Sequence, residues 1–318
     1  MKTFSTMNSF SERPSFRDTE LRCEMTFREL GPCWHIYSSE QFPIIFGSRD
    51  DFRFGMTLIA ICAMANPDIK ILTFEIMSNH LHVTVAGEKP AVLRFLDMVK
   101  KYLSRYLLAS GRPLDVSQWE CQLRTVRDLS DLRNVIVYNN RNGFLVSPDT
   151  TPFSYPWGAN RFFFNPELRS YHESTKKSLI VRDIRRLFHT GNLDAFCGTP
   201  TVDGYISPVV YCGISVAEAL FRNAHHYFHK VSRDIEGQKS IALEIGDRIF
   251  YTDDELFSFV WSKCKSEHNV NSPQMLTRDA KIDMAKLLHY DYNAANPQIA
   301  RILRLDKSIL DALFPPTR

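Results

Sequence analysis

The sequence predicts an α+β protein: an antiparallel-rich sheet with helices on one face, followed by a mainly α-helical C-terminal region. Two observations predict it. Across the first half, period-2 and period-3.6 segments follow in the order strand, helix, strand, strand, helix, strand, helix, with connections short enough for antiparallel neighbours. After a Pro-, Ser- and aromatic-rich stretch, "SPDTTPFSYPWGAN" at 147–160, the pattern turns almost wholly helical.

In order, residues 1–30 are polar and weakly periodic and read as a loose extension. "CWHIYSS" reads as the first strand. From Arg49 to about Ala65 the apolar positions Phe52, Met56, Ile59, Ala60 and Ala63 recur at helical spacing, and Pro67 ends that helix. "KILTFEIM" and "HLHVTVAG" read as strands joined through "SN". Pro90 suits a helix start, and Val92, Leu96, Val99, Leu103 and Leu107 give that helix its apolar stripe up to Gly111 and Pro113. "QWECQLRTV" is the next strand, and a helix runs from near Ser130 to Gly143. Beyond the Pro-rich stretch, helices are expected at about 167–190, 214–235, 253–267 and 277–290, with two short pieces at the end and a short hairpin in "IALEIGDRIFYT". The expected units are therefore 1–30, a domain at 31–150, a helical region at 151–276, and a helix-turn-helix at 277–318.

Composition narrows the class. The chain has 318 residues, 44% apolar and 24% charged, with net charge +3. That is a globular composition, and a basic surface, if any, must be local. Seven cysteines, an odd count with no CxxC pair, argue against a disulfide framework or a cysteine-built zinc site. "MKTFSTMNSF" lacks the apolar core of a signal peptide, and "MTLIAICAMA" is too short to span a membrane, so a cytoplasmic location without membrane association is expected.

In "IMSNHLHVTV", residues 76–85, strand alternation puts His80 and His82 on one face and Leu81, Val83 and Val85 on the other, the histidines roughly 7 Å apart along the chain. Two imidazoles at that spacing can share a metal ion, or they can be solvated polar residues on the exposed side of a half-buried sheet. The apolar residues are expected to face the helices, and the histidines an open sheet surface. In the helix "SDLRNVIVYNNRNG", Leu129, Leu132 and Ile136 form a stripe, with Tyr138 roughly opposite and Asn142 one turn later on the side of Tyr138. That side is one the core is not expected to claim; a surface tyrosine is the plain alternative.

Together, "MSNHLH" before an apolar strand, then a long helix, a strand, and a helix with Y-x-x-x-N, resemble the single-tyrosine HUH transposases. This family comprises insertion-sequence transposases and REP-associated tyrosine transposases. Met77, Asn79, His80 and His82 match its M-P-N-H-x-H, with Ser78 in place of the proline. Tyr138 and Asn142 match its Y-I-x-x-N-P, while Asn139 and Gly143 depart. "WHIYSSEQFPIIFGSRDDF" is similar to the family's first strand and following loop, so the resemblance spans roughly residues 34–146.

The resemblance implies metal-dependent cleavage and rejoining of single-stranded or hairpin DNA. Tyr138 would be the nucleophile, forming a 5′-phosphotyrosine link, and His80, His82 and Asn142 would hold a divalent ion. Nitrogen and oxygen ligands suit Mg²⁺ or Mn²⁺. Lys100, Lys101, Arg105 and Arg141 are candidate phosphate contacts, each also readable as a solvated face. His225, His226 and His229 read as a polar helix face. At the end, "NPQIARILRLDKSILDALFP" resembles a helix-turn-helix, with Asn296 and Asp306 as caps and Lys307 and Ser308 near the start of its second helix. The expected partners are DNA and, as one assembly left open, a second copy in a homodimer. Two other readings stay open. One is a non-catalytic DNA-binding regulator of the same fold. The other is a metal hydrolase with zinc on His80 and His82, for which Glu75 falls on the wrong strand face if the strand is unbroken.

Overall fold

The computed structural model describes residues 15–38, 43–142, 153–171, 199–233, 235–246, 251 and 253–315. Its first half carries β1 (Cys33–Ser38), β2 (Lys70–Ile76), β3 (Leu81–Ala86) and β4 (Cys121–Thr125) in one antiparallel sheet of order β2-β3-β1-β4. The helices between them are α2 (Arg49–Met64) and α3 (Lys89–Ala109), giving the βαββαβ arrangement of ferredoxin-like sheets. The α+β class and the helical C-terminal region are as expected. Start signals explain the helix positions: Ser48 and Asp51 close a capping box on α2, and α3 carries Pro90 in its first turn.

The face of Phe74, Ile76, Leu81 and Val83 packs on α2, whose Gly55 backbone comes so close that a Cβ there would sit 3.1 Å from Ile76. The opposite face is covered by α4 (Leu129–Asn139), which starts near Ser130 as expected but is capped by Asp128 and not by Ser130; the expected helix end at Gly143 lies outside the described residues. The sheet is therefore roofed on both sides.

Residues 16–30 are not a loose extension. They form α1 (Phe16–Leu30), capped by Ser15 and closed at Gly31, whose φ of 67° suits glycine. Cys23 is buried, and Glu20 pairs with Arg133 of α4 at 2.6 Å, which accounts for a polar segment becoming helical.

The later chain supplies α5 (Pro166–Ser170), a short β5–β6 hairpin (Thr201–Val202, Tyr205–Ile206), α6 (Ile214–Ala219), α7 (Ala224–Arg233), α8 (Ile235–Ile245), α9 (Asp253–Glu267), α10 (Arg278–Lys286), α11 (Asn296–Leu303) and α12 (Lys307–Leu313). The helix expected at 214–235 is broken after Ala219. The hairpin expected from 241 is instead the end of α8, since Ile241 and Ala242 are buried on a helical face; residues 247–250 and 252 are outside the described set. The helix expected at 277–290 passes into a π-helical turn at Leu287–Asp291. Of the helix expected at 167–190, residues 172–190 are likewise outside the described set.

The second half is built onto the first. Residues 157–159 run along β2, with Ile76 N–H on Trp157 O at 2.9 Å and Ala159 N–H on Phe74 O at 3.0 Å, and Gly213 N–H meets Ile71 O at 2.7 Å. These segments seal the outer edge of the sheet, where unpaired backbone groups would otherwise be exposed. Among the described residues no helix is long and apolar enough to cross a membrane, and the six cysteines among them are free thiols.

Candidate functional site

Between the sheet and α4 lies a polar layer. In the strand register His35 opposes Thr84 and Arg124, Tyr37 opposes His82 and Gln122, and Glu75 opposes His82. Directly opposed residues share a face, so His35, Tyr37, Glu75, His82, Thr84, Gln122 and Arg124 all point towards the α4 side. Glu75 thus shares the face of His82, because the turn at Met77–His80 breaks the alternation between the two strands. That turn is tight, with Met77 N–H on His80 O at 2.9 Å. Ser78, where the family motif has proline, accepts from the Ile45 and Phe46 N–H groups through its carbonyl, at 2.8 Å each.

His80, His82 and Tyr138 meet here. The rings of His80 and His82 are edge-on with centroids 5.1 Å apart, and the Tyr138 ring stands edge-on to His82 at 5.4 Å and to His35 at 5.9 Å. Two expectations need correcting. The histidine face is not open: His82 is fully buried and His80 is 8% exposed. Nor does Tyr138 lie on an unclaimed helix face, being 3% exposed. The reason is that α4 is sandwiched, with the sheet on one side and α1, α7 and α8 on the other. Burial pushes the His82 imidazole down to about 3, and holds His35 well below its ordinary value with help from His82 and Arg124, so both are neutral near pH 7.

His80 Nδ1 lies 2.9 Å from Asn79 Oδ1, and His82 Nδ1 lies 3.2 Å from His35 Nε2. Asn142 is on the last described turn after α4, its amide nitrogen donating to the Tyr138 carbonyl at 3.2 Å. Past Tyr138, Thr73 Oγ1 donates to Asn140 Oδ1, Asn140 Nδ2 donates to Tyr227 Oη at 2.7 Å, Tyr227 donates to Asn160 Oδ1, and Asn160 Nδ2 closes the ring on Asn140 O at 2.9 Å.

Of the candidate phosphate contacts, only Arg141 lies beside Tyr138, its backbone N–H donating to the Tyr138 carbonyl at 3.2 Å. Lys101 and Arg105 are exposed and Lys100 half-buried on α3, which lies in the layer behind the sheet. Arg141 is 1% exposed, so it is a buried side chain and not a surface one. Lys307 and Ser308 are exposed far along the chain, and the Ser308 hydroxyl bonds to Asp306, which caps α12 as expected. Asn296 does not cap α11, a place taken by Ala295; instead its side chain ties the two helices by reaching Asp311 Oδ1 and the Phe314 carbonyl. His226 accepts from the Arg222 N–H, a local helix-start contact. Among the described residues no three His, Cys, Asp or Glu side chains gather as a metal site.

Sequence reasoning missed His35, Asn139, Asn140, Asn160 and Tyr227. His35 alone left a signal, as a histidine alternating with Trp34 and Ile36 on a strand.

No known family model matches the chain, and no curated protein matches it. Among solved structures, a REP-associated tyrosine transposase bound to a REP hairpin is distantly similar: 12% identical, covering 43% of this chain and 82% of that one, with a TM-score of 0.33.

Proposed function

We propose that this protein cleaves and rejoins single-stranded or hairpin DNA through a covalent link to Tyr138. The convergence of Tyr138 with His80 and His82, carried on two separate elements, is the observation that supports the reading. The Tyr138 oxygen attacks the phosphorus, the bond to the 3′ oxygen breaks, and the phenol proton ends on that 3′ oxygen. The phosphate stays esterified to Tyr138 as a 5′-phosphotyrosine, and reversal by a 3′ hydroxyl rejoins the strand without ATP.

The donor set fits a divalent ion. His82 is neutral, His80 is beside it, and the Asn142 amide oxygen is the ligand-type atom left when its nitrogen bonds Tyr138 O. A bound Mn²⁺ or Mg²⁺ would neutralise charge on the scissile phosphate, and imidazole ligands favour Mn²⁺. The protein's own part is to hold the His82 imidazole neutral and to fix the phenol beside it.

One observation favours a second reading. Tyr138 and His82 are closed off from solvent, so a phosphodiester reaches them only if α4 or its neighbours shift. A DNA-binding protein that kept the fold and lost the chemistry needs no such shift. Incubation with hairpin-bearing single-stranded DNAs and Mn²⁺, followed by a denaturing gel, separates the two: the first reading gives a protein–DNA band that survives denaturation, and the second gives retention on native gels alone.

A further inference from the structure

We infer that Asn139 and His35 form a relay that fixes the tautomer of His82, placing its proton on Nδ1 and its lone pair on Nε2, the nitrogen that a metal would take. This rests on the metal-site reading above and adds two positioning residues to it.

Two backbone groups whose polarity cannot change flank the Asn139 amide. The Asn139 amide lies 3.3 Å from the Val135 carbonyl oxygen and 3.3 Å from the Thr84 N–H. One orientation suits both: nitrogen towards Val135 O, oxygen towards Thr84 N–H, the oxygen also accepting from Thr84 Oγ1 at 2.8 Å. The nitrogen so placed is 2.9 Å from His35 Nε2 and donates to it. His35 Nε2 therefore carries the lone pair, and the His35 proton sits on Nδ1. His82 Nδ1 lies 3.2 Å from that same Nε2. Two lone pairs facing each other at that distance repel, so His82 Nδ1 carries its proton and Nε2 its lone pair. His80 follows the same pattern, its Nδ1 set against the Asn79 side-chain oxygen at 2.9 Å.

The relay leaves the His35 Nδ1–H buried without a partner. The opposite amide orientation is worse, since it opposes oxygen to the Val135 oxygen and N–H to the Thr84 N–H at once. Asn139 directly follows Tyr138, so the helix carrying the phenol also sets which nitrogen of His82 bears the lone pair. Metal-bound histidines are commonly oriented in this way through their second nitrogen.

The test reads the tautomer directly. Two-bond proton–nitrogen correlation spectra of the metal-free, full-length protein with ¹⁵N-labelled histidine resolve the two forms, with His82→Gln identifying the His82 signals. The expected result is a single Nδ1–H form for His82 in the wild type; an Nε2–H form, or a rapidly exchanging mixture, overturns the relay. Asn139→Asp turns an oxygen towards His35 Nε2 and is expected to move His82 to the Nε2–H form and weaken Mn²⁺ binding by about 10–100-fold in calorimetry. An unchanged tautomer in a folded Asn139→Asp protein also overturns it. The spectra need no DNA, so they stand apart from the covalent-adduct assay: an Nδ1–H His82 with no adduct counts against the proposed reaction alone.

Discussion

An imidazole whose burial outweighs any neighbouring carboxylate is costly to keep in acid. His82, pushed down to about 3, and His226, pushed down to about 4 by burial and by Arg222, Arg133 and Lys230, bind their protons more weakly folded than unfolded. The unfolded chain therefore takes up more protons between about pH 6.5 and those values, and stability falls as pH drops through that window. Urea melts of the metal-free protein are expected to show a lower midpoint at pH 4.5 than at pH 7. His226→Gln, away from the candidate site, should flatten part of that slope; a midpoint independent of pH in the wild type would mean that these histidines are solvated. At this scale the His80–His82 pairing was legible, because strand periodicity fixes a shared face. Their burial was not, because the residues that cover them come from α4 and beyond.

At the scale of elements, α4 joins the sheet to α1, α7 and α8. Its stripe of Leu129, Leu132 and Ile136 is plain in the sequence, yet Val135, Val137, Tyr138 and Asn139 are equally buried. A helix gripped on two sides looks one-sided to a periodicity argument when polar residues make up the second face. Here those residues are bonded: Asn139 to Thr84, and Asn140 into the ring with Tyr227 and Asn160. Tyr227→Phe removes the one hydroxyl that serves both asparagines and is expected to destabilise the protein by about 2–4 kcal/mol, read as a shift in the thermal midpoint. Gly158 is a second sensitive point, since a Cβ there would lie 2.5 Å from Glu75 Cγ and 2.7 Å from the Phe74 carbonyl oxygen. Gly158→Ala should cost about 1–3 kcal/mol through displacement of the strap on β2. No loss in either variant would mean that the second half sits loosely on the sheet.

At the scale of the whole molecule, the two halves are interdependent. From the sequence alone, residues 34–146 read as a self-sufficient catalytic unit, with a chain ending near Asn165 expected to retain cleavage if its sheet needs no further cover. The structure supplies that cover from later residues: Tyr227 at the end of α4, the Leu220 carbonyl on Arg133 at 2.6 Å, and Glu244 on Arg124 at 2.6 Å. A protein truncated at Asn165 is therefore expected to lose its cooperative thermal transition. Peptide mass mapping of protein trapped on hairpin DNA with Mn²⁺ tests whether Tyr138 is the nucleophile. A nucleotide-bearing peptide modified at Tyr138 and absent from Tyr138→Phe is expected; modification at another residue, or no covalent adduct on any hairpin substrate while DNA is still bound, would rule Tyr138 out as the nucleophile.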